Sequence, residues 1–142
     1  MTAKIGYDEV EVGTELPAGR FPVSRDTLVR YAGASGDFNP IHWNERFAKE
    51  VGLPDVIAHG MFTMAEAIRV VTDWTGDPGA LVEYSVRFTK PVVVPDDDKG
   101  AVVEVSAKVA QKLEDRQVRV DIAATSDGQK VLGLARAVVR LA

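Results

Sequence analysis

Cysteine is absent from the 142 residues of this sequence. Its absence excludes disulfides, thiolate nucleophiles and thiolate metal sites. The two histidines do not form a His-Glu-x-x-His pattern, and three adjacent aspartates at residues 96–98 lack the ligand spacing of an EF-hand calcium loop. We therefore expect neither a metal nor a cofactor, and a chemistry that relies on oxygen groups and imidazole.

The sequence also lacks an excess of basic residues and any long apolar run. The 17 Lys and Arg residues against 21 Asp and Glu residues give a net charge of −4, without the basic stripe that a phosphate backbone needs. No segment approaches the roughly 18 consecutive apolar residues of a membrane span, and residues 1–12 contain no apolar block. We therefore expect a cytoplasmic protein that binds neither nucleic acid nor membrane.

Repeats, linkers and low-complexity tracts are lacking as well. With 46% hydrophobic residues, the chain is long enough to enclose one real core. Pro and Gly residues occur one at a time, at the ends of predicted elements, rather than in a run between two domains. The sequence therefore predicts a single domain over residues 1–142.

Three helices are predicted in the N-terminal half. Ser24 is suited to cap the first, which runs to about residue 35, and a second, short helix begins at Asn44 or the next residue and ends at Gly52. The third helix, at residues 60–74, is apolar on nearly every side, so we expect it to be buried at the centre of the domain. Residues 35–42 then form a loop between the first two helices.

The C-terminal half changes to the two-residue period of β-strands. Asp127 and Gly128 favour a tight hairpin into residues 130–141, and the two prolines of residues 91–95 indicate a bend or crossover. We expect an antiparallel meander whose sheet wraps the central helix and leaves one edge for a dimer. The alternating apolar residues are Val82, Tyr84, Val86 and Phe88; Val103, Val105, Ala107 and Val109; and Val118, Val120, Ile122 and Ala124.

Residues 35–42, Ser-Gly-Asp-Phe-Asn-Pro-Ile-His, place an acid and an imidazole five positions apart. Gly36 and Pro40 help the loop to fold back, so that Asp37 and His42 could share one water or one substrate hydroxyl. An imidazole poised near neutrality can take a proton from carbon or water, and a partly shielded carboxylic acid can exchange one at oxygen. The pair is suited to the reversible elimination of water.

Each of these residues also has a purely structural interpretation. Asp37 alone could form an Asx-turn, and His42 alone could be a half-buried side chain bound to a main-chain carbonyl. Asn39 could fix a reacting water or cap the turn, with equal weight on the two roles. His59 stands directly before the predicted central helix, where a histidine more often supports the loop than acts as a second base.

Residues 31–48 resemble the signature of the R-specific enoyl hydratases, the MaoC-like dehydratases. The signature of that family begins with an aromatic residue, continues with Ser-Gly-Asp-x-Asn-Pro-aliphatic-His, and ends with Ala or Ser after five arbitrary residues. This chain matches it without a gap at Tyr31, residues 35–42 and Ala48. The resemblance continues through Ala-His-Gly-Met at residues 58–61 and through the strand region that ends at residue 95, so it covers essentially the whole chain. One departure is Asn44, where many relatives carry an acid; asparagine can cap the second helix equally well.

The resemblance implies an α+β hot-dog domain, in which a curved antiparallel sheet wraps a long central helix. It also implies that Asp37 and His42 act on C2 and C3 of an acyl thioester, and that the main-chain N–H of Gly60 polarises the thioester carbonyl. The unpaired N–H groups and positive dipole of a helix N-terminus independently favour the role of Gly60. We assign His42 as the base and Asp37 as the acid, with supporting roles for Ser35, Asn39 and His59.

The function that the resemblance implies is a hydro-lyase, a (3R)-3-hydroxyacyl thioester dehydratase or trans-2-enoyl thioester hydratase. A narrower likeness, to the catalytic subunit of the (3R)-hydroxyacyl-ACP dehydratases of type II fatty-acid synthesis, implies an acyl carrier protein (ACP) substrate and a homodimer or a heterodimer with a second hot-dog subunit. The same chemistry on acyl-CoA, in fatty-acid degradation or polyester precursor supply, is one alternative. A non-catalytic hot-dog subunit is another, but it would not need both Asp37 and His42. Thioester hydrolysis would usually need a carboxylate on the central helix, where Glu66 is the one acid well inside.

Overall fold

The computed structural model of the protein describes residues 3–142. None of the helices in this part of the chain is long and apolar enough to cross a membrane. The helices are α1 (Arg25–Ser35), α2 (Glu45–Glu50) and α3 (Gly60–Thr75), and the strands are β1 (Gly19–Val23), β2 (Leu81–Phe88), β3 (Ala101–Lys112), β4 (Gln117–Ser126) and β5 (Gln129–Arg140). Short 3₁₀ turns occupy Tyr7–Glu9, Pro40–His42 and Pro78–Ala80.

The five strands form one antiparallel sheet in the order β1-β3-β4-β5-β2. Strands β3, β4 and β5 follow one another as a meander, whereas β2 lies beyond β5 at one edge of the sheet. The chain must therefore cross from that edge to the other side between β2 and β3. Residues 89–100 make this crossover, which confirms the prediction drawn from the prolines of residues 91–95.

The helix ends follow the capping signals in the sequence. The hydroxyl of Ser24 accepts the N–H of Thr27 at 3.2 Å, and the side chain of Asn44 accepts a main-chain N–H of α2 at 3.0 Å. Because these oxygens satisfy N–H groups that have no partner inside the helix, both helices begin where predicted. Helix α2 ends at Glu50, two residues before the predicted Gly52.

The predicted alternation holds in β3 and β4, where every apolar residue of the two predicted series is buried. Their connection to β5 is also as predicted, because Asp127 and Gly128 have φ values of 51° and 71° and join β4 to β5 in a tight turn. In β2 the alternation holds at Tyr84 and Val86, which are partly buried and pack against the core. It fails at the two ends of the strand, where Val82 and Phe88 are 52% and 56% exposed and irregularities between Leu81 and Glu83 and between Ser85 and Arg87 shift the register with β5.

Two further features differ from the sequence prediction. Strand β1 adds a fifth strand beside β3, in a segment whose proline and glycine had indicated only an extended entry. Helix α3 packs against all five strands, but only one of its sides is buried, and Met61 on the other side is 60% exposed. The buried residues of α3 are Thr63, Ala67, Val70, Val71 and Thr75.

Candidate active site

Asp37 and His42 face each other at the loop between α1 and α2. Nε2 of His42 lies 3.9 Å from Oδ2 of Asp37, with the histidine side chain 7% exposed and the aspartate side chain 53% exposed. This distance is too long for a direct hydrogen bond. The two groups are therefore free to contact a third group placed between them.

Three side chains stabilise this loop through the same kind of hydrogen bond to the backbone. Ser35 Oγ accepts the N–H of Asp37 at 3.2 Å, Oδ1 of Asp37 accepts the N–H of Asn39 at 3.1 Å, and Oδ1 of Asn39 accepts the N–H of Ile41 at 3.3 Å. Each is a turn in which a short polar side chain binds the backbone two residues ahead. Ser35 and Asn39 thus shape the loop. One carboxylate oxygen of Asp37 does the same, and the other is directed at His42.

A main-chain carbonyl fixes the orientation of the His42 ring. Nδ1 of His42 lies 2.7 Å from the carbonyl oxygen of Ile57, and because a carbonyl only accepts, Nδ1 carries the hydrogen. In the neutral ring the lone pair is then on Nε2, the atom that faces Asp37. Burial lowers the pKa of His42 and His59 adds to this effect, while the bond to Ile57 and the charge of Asp37 act in the opposite direction. The result is a base that stays neutral at lower pH than an exposed histidine.

The first residue of α3 borders the same region. Gly60 begins the helix, where main-chain N–H groups have no intrahelical partner and the helix dipole is positive. A Cβ atom at this position would lie 3.1 Å from the ring of Phe88, so the absence of a side chain keeps the approach to the helix end narrow but open. A group bearing partial negative charge on oxygen would be stabilised at this point.

A cavity of about 300 Å³ joins His42 to the start of α3. His42, Gly60 and the buried Thr63 contribute to its wall, which also includes Ile41, Ile57, Phe88, Lys90, Val92 and Val131. Asp37 lies outside this lining, on the solvent side of His42. A larger groove of about 810 Å³ lies between the crossover and the turn after β4, but neither histidine lines it, so the smaller cavity is the candidate site.

His59 packs behind the Asp37–His42 pair. Its ring is 1% exposed and stacks on that of His42, with centroids 3.7 Å apart and planes 20° from parallel. Nε2 of His59 lies 3.0 Å from the main-chain oxygen of Asp37. The carboxylate and the two imidazoles bring side-chain oxygen and nitrogen atoms within 4.8 Å of one another. One nitrogen of each ring is committed to a main-chain carbonyl, Nδ1 of His42 to Ile57 and Nε2 of His59 to Asp37.

The structure brings together the predicted residues and adds partners that the sequence did not reveal. Neither the Ile57 carbonyl nor the ring of Tyr31, 4.7 Å from that of His59, was predicted as a contact of the site. In the sequence, Tyr31 could be identified only as the aromatic residue of the motif. A main-chain carbonyl is common to all residues, so the sequence gives no indication of its role. Glu66, the candidate for hydrolysis, pairs with Arg69 at 3.0 Å and is not in the described lining of the cavity.

Comparison with known sequences places this arrangement among related proteins. The profile of the family described as MaoC like domain matches residues 9–126. 3-Hydroxyacyl-thioester dehydratase X of Mycobacterium tuberculosis is 46% identical over 79 residues, which are 56% of this chain and 27% of that protein. 3-Hydroxybutyryl-CoA dehydratase of Methylorubrum extorquens is 32% identical over 138 residues, 95% of this chain and 83% of that protein.

Solved structures give the same picture. A structure described as a MaoC-like dehydratase has a TM-score of 0.93 and 44% identity, over 96% of this chain and 42% of its own. R-hydratase PhaJ1 from Pseudomonas aeruginosa has a TM-score of 0.82 and 26% identity, over 99% of this chain and 88% of its own. The chain thus corresponds to about a quarter of one relative and less than half of one structure, but to most of the other two. These matches confirm the hot-dog fold.

Proposed function

Because the chain belongs to the family of MaoC-like dehydratases, we propose that it catalyses the reversible removal of water from (3R)-3-hydroxyacyl thioesters. The observation that carries this proposal is the position of His42 Nε2, 3.9 Å from the carboxylate of Asp37 and beside the N-terminus of α3. The names of the relatives support the same chemistry. A hydro-lyase of this kind needs one proton acceptor, one proton donor and one site for a developing oxyanion, and the candidate site offers all three.

His42 is the base in the direction of dehydration. The hydrogen bond to Ile57 leaves the lone pair on Nε2, and the lowered pKa keeps that lone pair free near neutral pH. The proton on C2 of the acyl chain passes to this atom. Negative charge then develops on the thioester oxygen, where the free N–H at Gly60 and the dipole of α3 stabilise it.

Asp37 is the acid that completes the elimination. The proton that His42 took from C2 passes to the carboxylate of Asp37 across the short gap between them, and Asp37 gives it to the hydroxyl on C3. The C3–O bond breaks, water leaves as the C2–C3 double bond forms, and both residues are back in their starting state. Hydration of the enoyl thioester follows the same steps in reverse.

The thioester carrier in this proposal is acyl carrier protein. Among the relatives, a mitochondrial protein of Arabidopsis thaliana named 3-hydroxyacyl-[acyl-carrier-protein] dehydratase is 30% identical over 100 residues, and the Methylorubrum extorquens relative is named for a CoA thioester. Both carriers attach the acyl group through the same pantetheine arm, so the site chemistry is common to both. Initial rates on matched enoyl-ACP and enoyl-CoA substrates decide between them.

A second hot-dog subunit is part of the proposal. Strand β2 has one neighbour, β5, in the described sheet, and its free edge carries the exposed Val82 and Phe88. Phe38 and Met61, next in sequence to Asp37 and Gly60, are each 60% exposed. Pairing of β2 with a second copy, or with a related subunit, would cover this apolar surface and enclose the open side of the site.

The direct test is hydration of trans-2-enoyl thioesters by the purified protein, followed by loss of the conjugated absorbance and by chiral analysis of the product. The expected product is the (3R)-3-hydroxyacyl thioester. Release of free thiol instead would indicate thioester hydrolysis. A folded protein that stays inactive with both carriers, with and without a related hot-dog subunit, would contradict the proposal and favour a non-catalytic role.

A further inference from the structure

The side chain of His59 contacts both His42 and the backbone at Asp37, and it directly adjoins the start of α3. It bonds the main chain at Asp37, stacks on His42 and directly precedes Gly60. We propose that His59 is a positioning residue, which holds the ring of His42 and the backbone at Asp37 in their catalytic arrangement. This inference rests on the proposed function and assigns a task to a residue that itself touches no substrate in the mechanism above.

The bond to Asp37 fixes the protonation of His59. The carbonyl oxygen of Asp37 can only accept, so Nε2 of His59 carries the hydrogen, and in the neutral ring the lone pair is on Nδ1. Nδ1 is buried and has no hydrogen-bond partner among the described residues. An unpartnered buried acceptor carries a free-energy cost, which stability alone gives no reason to retain. We take this cost as a sign that the ring serves the site.

The stack restricts the movement of His42. Its ring is covered on one face by His59, at 3.7 Å between centroids, and is held at its edge by the carbonyl of Ile57. Tyr31 of α1 lies behind His59, with its ring centroid 4.7 Å away. Because His59 is held between two rings, rotation of His42 away from Asp37 would require several packed groups to move together.

The stack also opposes protonation of His42. A proton on His42 would place a charge away from water and against a second imidazole, and both burial and the charge interaction with His59 lower the pKa of His42. The nearby titratable groups come from three places. Asp37 faces His42 from the loop, Tyr31 lies behind His59, and Lys90 is on the wall of the cavity that His42 also lines. The carbonyl of Ile57 and the carboxylate of Asp37 favour the charged ring, but the side chain of Asp37 is half exposed and so screened by solvent.

Two substitutions separate the two tasks. His59→Gln keeps an N–H donor for the main chain at Asp37 but removes the ring, and His59→Phe keeps a ring against His42 but removes the donor. Since the chain has two histidines, His42 is the only imidazole in either variant, and its titration can be followed by NMR without assignment. Circular dichroism confirms that each variant is folded, and the pH dependence of kcat/KM is measured beside the NMR titration.

In His59→Gln we expect the pKa of His42 to rise toward its ordinary value, and the acidic limb of the pH–rate profile to move with it. In His59→Phe, which also removes the second imidazole, we expect the limb to move in the same direction, while kcat falls about 100-fold with little change in KM because the loop is released. An unmoved His42 titration in His59→Gln, together with full kcat in both variants, would overturn the inference. If the wild type has no hydratase activity but the titration still moves, the positioning contact stands and the proposed reaction is wrong.

Discussion

The rings of His42 and His59 stack 3.7 Å apart, and each ring commits one nitrogen to a main-chain carbonyl. His42 uses Nδ1 on Ile57, and His59 uses Nε2 on Asp37. These two hydrogen bonds connect the loop after α1 to the segment before α3 in both directions. They leave Nε2 of His42 as the imidazole nitrogen that faces the carboxylate of Asp37, and the proposed mechanism uses that nitrogen as its proton acceptor.

Replacement of Asp37 by asparagine tests the acid. The amide keeps the size of the side chain and can still accept the N–H of Asn39, but it cannot supply the proton for the C3 hydroxyl. We expect kcat for enoyl thioester hydration to fall roughly 10²- to 10⁴-fold with little loss of stability. Asp26→Asn is the matched control, because Asp26 is an exposed aspartate of α1 and should retain full activity. Equal activity of the two variants would exclude Asp37 as the acid.

The two members of the pair should act as a unit. His42→Gln removes the base, and we expect a loss of kcat similar to that of Asp37→Asn. Because a proton relay fails when either partner is missing, the double variant should be little slower than the slower single variant. Steady-state rates of the four proteins give the coupling directly. Losses that multiply in the double variant would instead indicate two independent contributions.

The activity and stability of the protein should both decline in mild acid. The pKa of His42 lies below its ordinary value of 6.5, so between these two values the unfolded chain binds more protons than the folded chain. Stability should therefore fall as pH decreases through this window, and kcat/KM should fall once pH reaches the lowered pKa and the base is protonated. Urea unfolding at about pH 5 and about pH 8 measures the first effect, and His42→Gln should reduce the difference. A larger difference in that variant would contradict this assignment.

Gly60→Ala tests whether the N-terminus of α3 binds the thioester oxygen. The new Cβ would lie 3.1 Å from the ring of Phe88, which is half exposed and can yield, but it would occupy the approach of the thioester oxygen to the free N–H. We expect kcat to fall about 100-fold, with a smaller effect on stability because Gly60 is the first residue of the helix and not in its interior. Gly33→Ala in α1 is the control, since nothing lies within 4 Å of its Cβ position, and it should change stability alone. If both variants keep full activity, Gly60 does not bind the carbonyl.

Much of the fold could be predicted because its signals are local. Ser24 and Asn44 cap their helices with their own side chains, and Asp127 adopts the positive φ of the turn it was assigned to. The same holds for Asp37 and Asn39, whose spacing alone defines the turns that bring the acid toward His42. In each case the partner lies within a few residues along the chain.

The features that escaped prediction depend on distant parts of the chain. The tautomer of His42 follows from the carbonyl of Ile57, a group that every residue possesses, and so no residue type could indicate it. Which residues of β2 face inward depends on the register of β2 with β5. Leu81 lies opposite Val139 and Glu83 opposite Val138, so Val82 is the extra residue of the bulge. Strand β1 forms because β3 offers it an edge, despite the proline in its sequence.

The free edge of β2 gives a prediction about assembly. The protein should elute as a dimer with twice the mass of one chain, and Val82→Lys should shift it toward the monomer, because a charge on the edge opposes pairing with a second copy. Val29→Lys is the matched control, since Val29 is 62% exposed on α1 and lies outside the sheet. Size-exclusion chromatography with light scattering measures all three masses. A dimer that both variants retain would place the interface elsewhere. A wild type that is monomeric at every concentration would contradict self-pairing through β2. Co-purification with a related subunit would then test whether the edge binds a different hot-dog subunit.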